Sequence, residues 1–228
     1  IGALVTVRGV VTNGAELGKI RYMQDGTAGI AAFPGAGSVA GFETAVKLGD
    51  SIEVKGALVD YNGLLEISPI TAYKIIASNQ PLPSPKPLLL SGLAEALEGQ
   101  LVSIDCTSFM DAGSVFNSTG PFQVADPTGE SGQVYLRSGH PLIGTPVPLS
   151  PVRLVAILSQ FNSYQLLPRT KADLAQPSCF AYLLQPEQSD IQTNGFYLHW
   201  KTSLASTAKI RYGNTPVFSQ LVTVPGNT

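Results

Sequence analysis

Apolar and polar residues alternate through most of the chain, and turns containing glycine or proline break the alternation. Val5, Val7, Gly9 and Val11 alternate with Thr6, Arg8 and Thr12, the period of a half-buried strand with a glycine where it must bend. Strands are also predicted over about 19–24 and 29–33. Ile52, Val54, Gly56 and Leu58 share one face of a fourth strand whose other face carries Glu53 and Lys55. A fifth runs to about Ile67, where Pro69 weakens it. The dipeptides Asp25-Gly26 and Asn62-Gly63 separate these runs; such pairs accept positive φ at little cost and close tight hairpins. Val39, Phe42 and Val46 mark a short helix before the fourth strand.

Five strands with a helix between the third and fourth is the order of an OB-fold barrel, whose closure removes exposed edges. An open five-stranded meander is the alternative. The pattern returns at an offset of about 100 residues: Val102, Ile104 and Cys106 fall on Val5, Val7 and Gly9, and Asp126 falls on Asp25. Val152, Leu154, Ala156 and Leu158 fall on Ile52, Val54, Gly56 and Leu58, and Phe161-Asn162 on Tyr61-Asn62. A slip of one residue would swap the faces of every strand, so agreement of inward positions supports a repeat.

The expected fold class is therefore all-β, with two tandem OB-fold-like five-stranded barrels over 1–78 and 91–176. Residues 79–90 hold Pro81, Pro83, Pro85 and Pro87 and read as a stiff linker. Ser91 is placed to cap a short helix over 92–97, whereas the prolines of 138–151 argue against a helix there. In 177–228, Phe196, Leu198 and Trp200 alternate with Tyr197, His199 and Lys201, which suggests part of a β-sandwich. Its missing half was cut away, or Trp200 packs against the second barrel or another chain. The chain starts at Ile1 in what reads as a strand, and we expect it to be a piece of a longer protein.

Composition fits short strands: charged residues make up only 13%, and Gly (23) and Pro (17) are plentiful. Net charge is −2, with six Lys/Arg against seven Asp/Glu in 1–78 and four against six in 97–175. The basic face that usually marks phosphate-backbone binding is missing. No apolar run has the length of a membrane span, so no membrane insertion is expected.

His140 and His199 belong to no ligand motif and read as surface histidines. No metal, cofactor or catalytic residue is expected. Cys106 reads as an inward core residue with an inert thiol; the alternative is a Cys106–Cys179 disulfide in an oxidising compartment. Polynucleotide binding is the remaining candidate, because OB-folds hold strands across their second and third strands with basic and aromatic side chains. The first unit offers Arg8, Lys19, Arg21, Tyr22 and Tyr61 there, with Phe33 nearby. The second offers Phe122, Tyr135, Arg137 and Phe161, with Phe116 and Tyr164. Glu16, Asp25 and Asp60 intervene, and the Asn62-Gly63 turn is too tight to grip a strand; any binding of single-stranded nucleic acid should be weak.

The first unit resembles the OB-fold-like domains of secreted bacterial multidomain proteins, including extracellular nucleases and phosphoesterases, through VTVRGVVT, YMQDGTAGI and LGDSIEVKGALVDYNGLLEI. The second resembles their frequent partner through LEGQLVSI, FQVADPTG and the Asn162 turn, and the tail resembles the start of a fibronectin type III domain through GFYLHWKT and AKIRYGNTP. The resemblance implies a secreted or cell-surface location. It further implies a non-enzymatic accessory region that presents substrate to a nuclease or phosphoesterase domain of the same polypeptide, outside this sequence. A purely structural or protein-interaction scaffold is the other reading.

Overall fold

The computed structural model describes residues 1–175 and the strands over 183–192, 195–202, 208–212 and 220–224. Contacts divide the chain into two units, Ile1–Ser178 and Cys179–Thr228.

In the first unit, β1 (Leu4–Val11), β2 (Arg21–Gln24), β3 (Gly29–Ala32), β4 (Ser51–Tyr61) and β5 (Leu64–Ala77) form a closed barrel. Their order is β1-β2-β3-β5-β4, with β3 and β5 parallel and the other pairs antiparallel. The helix α1 (Phe42–Ala45) follows β3 and buries Phe42 in the barrel core beside Met23, Ile52 and Ile67. Contrary to expectation, β5 does not end near Ile67 but continues to Ala77. Register shifts opposite Lys55, Gly56 and Leu58 leave Pro69 out of the pairing, so a residue with no N–H to donate is bypassed rather than ending the strand.

Seven further strands follow in this unit. They are β6 (Lys86–Pro87), β7 (Leu101–Phe109), β8 (Gly120–Ala125), β9 (Ser131–Leu136), β10 (Val152–Phe161), β11 (Ser163–Leu167) and β12 (Leu174–Ala175). They form one sheet in the order β12-β10-β11-β9-β8-β7-β6, and β10 also pairs with β7. The proline-rich segment is not a free spacer: β6 runs parallel to β7, and the Leu88 N–H donates to the Ser103 carbonyl. The helix expected over 92–97 is replaced by two 3-10 turns, Leu90–Gly92 and Glu95–Leu97, with Leu93 and Ala94 extended between them. So short a segment gains few helical hydrogen bonds to offset nucleation, while separate turns let Leu90 and Leu97 both reach the core.

In the second unit, β13 (Leu183–Gln192) pairs antiparallel with β14 (Gly195–Thr202), and β15 (Ala208–Tyr212) with β16 (Gln220–Val224). Trp200, on β14, is half-buried. Among the described residues, no helix is long and apolar enough to cross a membrane.

Among its described residues, the first unit has three apolar clusters. One fills the barrel, and one lies within the second sheet around Phe109, Phe116 and Phe122. The third joins them: Leu17, Ile20, Tyr22, Ala31 and Leu64 pack on Leu101, Ile157 and Leu167. All four residues of β2 are therefore buried. Met23 faces the barrel core and Tyr22 faces the second sheet.

Candidate functional site

Hydrogen bonds as well as apolar packing hold the barrel to the second sheet. The Tyr22 hydroxyl and Ser159 Oγ lie 2.7 Å apart, both buried. Gln24 Oε1 accepts from the Leu101 N–H at 2.9 Å, and Glu98 Oε2 accepts from the Leu65 N–H at 2.9 Å. The Arg169 guanidinium, braced by Asp173, donates to the Thr12 carbonyl at 3.1 Å. At Gly29 and Gly99 the two backbones come so close that a Cβ on either would overlap the other. Each half also contains an aspartate-to-threonine turn: Asp25 Oδ1 accepts from Thr27, and Asp126 Oδ1 from Thr128.

Above this joint is a cleft of about 400 Å³. Corresponding pieces of the two halves line it: the ends of β4 and β10 bring Tyr61 and Phe161, and the stretches after β3 and at the end of β9 bring Phe33 and Tyr135. Tyr61 and Phe161 are 53% and 47% exposed, with ring centroids 6.0 Å apart. Ile20 and Leu64 form an apolar floor, and Glu66, Arg137, Gln160 and Gln165 supply polar groups.

Two of those polar groups hold a buried atom without a partner. Arg137 Nε and Gln160 Oε1 are buried without a hydrogen-bond partner. Glu66 is 5% exposed, and burial raises its carboxyl above the usual range although the positive charge of Arg137 pulls the other way. No ion pair joins the two; among the described residues the ion pairs are Arg8–Glu53 and Arg169–Asp173. Opposite charges thus face one cleft without closing on each other.

The residues expected to bind nucleic acid divide into two groups. Tyr61, Tyr135, Arg137, Phe161 and the neighbouring Phe33 come together in the cleft. Arg21, Tyr22 and Phe122 do not present a binding face, which corrects the expectation for them. Arg21 is 3% exposed, and its guanidinium donates to the carbonyls of Val46, Gly18, Ile20 and Glu43, tying β2 to the α1 segment. Tyr22 lies in the joint, where burial pushes its hydroxyl pKa up to about 12. Phe122 stacks edge-on against Phe116 in the core of the second sheet. Arg8 pairs with Glu53 at 2.6 Å on the barrel exterior, and Lys19 is exposed; neither lines the cleft. The outside of β2 and β3, with Tyr22 and Ala31, is covered in the first half by the second.

Two other expectations are corrected. His140 is buried, not on the surface: Nδ1 accepts from the Leu142 N–H, so the proton sits on Nε2, which faces the Pro168 carbonyl at 2.8 Å. Cys106 is disulfide-bonded rather than an inert thiol, and Cys179 lies outside the described residues. Cys106 has a φ of 58° at a bulge where β7 shifts register against β10, a site that alternation alone does not mark. His199 is exposed on β14, with Nε2 at 2.9 Å from Ser189 Oγ. Among the described residues, no group of three or more His, Cys, Asp or Glu is placed to hold a metal ion. Sequence reasoning missed Glu66 and Gln160, because their place in the cleft depends on how the halves dock.

No known protein family matches the chain, and no solved structure matches it. The chain is similar to Endonuclease YhcR of Bacillus subtilis (strain 168), 30% identical over 234 residues, an alignment covering 92% of this chain. The chain spans 18% of that protein's length. This likeness overturns the expectation that the chain has no enzymatic part: nearly all of it aligns within an endonuclease.

Proposed function

We propose that this chain is a strand-engaging part of a secreted or cell-surface nuclease, and that its cleft holds unpaired nucleic acid by stacking. The observation that carries this reading is the convergence of Phe33, Tyr61, Tyr135 and Phe161 on one cleft with the Arg137 guanidinium. Aromatic faces bind bases of any sequence, at ~1–3 kcal/mol per base. The similarity to an endonuclease supports a nucleic-acid substrate, and the disulfide at Cys106 supports an oxidising compartment.

On this reading both halves of the first unit are OB-fold-like barrels, since β7-β8-β9-β11-β10 repeats the cyclic order and the single parallel pair of β1-β2-β3-β5-β4. The second unit is the start of a fibronectin type III-like sandwich. Further domains of the same polypeptide take part in the hydrolysis. The binding surface is the junction of the barrels rather than the face of either one.

Titration of a fluorescent single-stranded oligonucleotide into the purified chain tests the reading. Binding at low salt, weakened by Phe161→Ala or Tyr61→Ala with the fold intact, is expected. No binding at tens of micromolar protein in low salt would overturn it.

A further inference from the structure

We propose that the cleft selects guanine, taking one base of the bound strand edge-on between its aromatic walls; this rests on the strand-binding reading above. The argument is an inventory of donors and acceptors. Ionised, the Glu66 carboxylate only accepts, and it makes no ion pair among the described residues. Gln160 Oε1 is a second acceptor, buried with no partner. Arg137 only donates, and its Nε is likewise buried with no partner. A ligand that pairs with all three must present donors to Glu66 and Gln160 and an acceptor to Arg137.

Guanine has that edge: its N1–H and N2–H2 are neighbouring donors, and O6 and N7 are acceptors suited to a guanidinium. Adenine and cytosine each offer one amino group beside ring acceptors, and thymine offers a single N–H between two carbonyls. With two N–H bonds at most on that edge, these bases cannot pair all three acceptor oxygens of Glu66 and Gln160, as guanine can with three, and a site built on hydrogen bonds rejects such ligands strongly. The charges agree with this assignment. Glu66 and Arg137 line one cleft but form no ion pair, leaving room for a polar edge between them. Their separation is otherwise costly, because each group is poorly solvated.

The same edge occurs on a free guanine nucleotide, so the experiment has two arms. In the first, the intact chain at about pH 8 is titrated with single-stranded oligothymidylates carrying one central dG, dA, dC or dT. The dG strand is expected to bind roughly 10-fold tighter or more. Glu66→Gln, which keeps shape but adds a donor, is expected to abolish that preference. In the second arm, guanosine and adenosine monophosphates are compared by calorimetry. Equal affinity for the four strands overturns guanine selection and leaves strand binding standing. Preferential guanosine monophosphate binding without any oligonucleotide binding overturns strand binding and keeps the guanine site. Binding of neither ligand class overturns both. Melting curves of Glu66→Gln confirm that its loss of preference is not unfolding.

Discussion

The Asn162 N–H donates to the Asn62 carbonyl oxygen at 2.7 Å, joining the tips of the β4–β5 and β10–β11 hairpins. Both asparagines have positive φ, 56° at Asn62 and 60° at Asn162. Asparagine tolerates that conformation because its short polar side chain bonds locally. The residue before each is an aromatic at the mouth of the cleft, so this one contact sets the spacing of Tyr61 and Phe161.

Asn162→Val should therefore lower stability by about 1–2 kcal/mol, the cost of forcing a β-branched residue into the left-handed region. Asn162→Gly should be close to neutral. Urea denaturation of the full chain, followed by tyrosine fluorescence, measures both.

Tyr22→Phe leaves the Ser159 hydroxyl buried and unpaired, and we expect a loss of about 1–2 kcal/mol. Ser159→Ala should cost a similar amount. The double variant should cost less than the sum, because both changes remove one shared contact; a double-mutant cycle in urea reads the coupling.

Arg21 and Arg137 have similar formal chemistry and should behave oppositely. Arg21→Met strands the carbonyls of Val46, Gly18, Ile20 and Glu43, so the melting temperature should fall sharply while the folded fraction binds oligonucleotide as before. Arg137→Met should leave melting nearly unchanged, since its Nε has no partner, and weaken binding at least several-fold.

Stability should change with pH through two buried groups of opposite sign. Burial, with help from Glu95 and Asp60 and against the Leu65 N–H, pushes Glu98 up from 4.5 to about 7. Its folded pKa lies above its unfolded one, so its contribution is complete below 4.5 and is lost as pH rises through about 7. Burial lowers His140 from 6.5, chiefly by desolvation, so its contribution is present above 6.5 and is lost as pH falls below that value. Glu98→Gln should raise stability near pH 8 relative to the parent and flatten the alkaline side of the profile. Urea midpoints measured across this range check it.

Strand binding should depend only shallowly on salt. Arg137 is the cation lining the cleft, and each phosphate contact to a single strand adds a slope of about −0.7. A plot of log affinity against log salt should give a slope of roughly −1, far from that of a basic groove.

Much of the barrel was legible in the chain. Alternation in VTVRGV and SIEVKGAL, with Asp25-Gly26 and Asn62-Gly63 between runs, specifies short antiparallel strands because side chains on a strand alternate faces. The same alternation placed Val11, Ile52 and Val54 on inward faces, and they lie in the barrel core. It misplaced the end of β5, since a proline skipped by a bulge and one that ends a strand read alike.

The site was half legible. Tyr61, Tyr135, Arg137 and Phe161 were identified from residue type and position in the hairpins, whereas Arg21 and Tyr22 were assigned to a solvent face that another part of the chain covers. Local pattern assigns residues to the two faces of a strand, because the period of two is a property of the backbone. It cannot say whether the outer face meets water or a neighbouring sheet, since that depends on contacts between residues far apart, such as Tyr22 with Ser159. The sequence by itself determined strands, turns and inward faces. Only the tertiary structure decided that the two halves dock through β2, and so left Arg137 Nε and Gln160 Oε1 without partners beside Glu66 in the cleft between them.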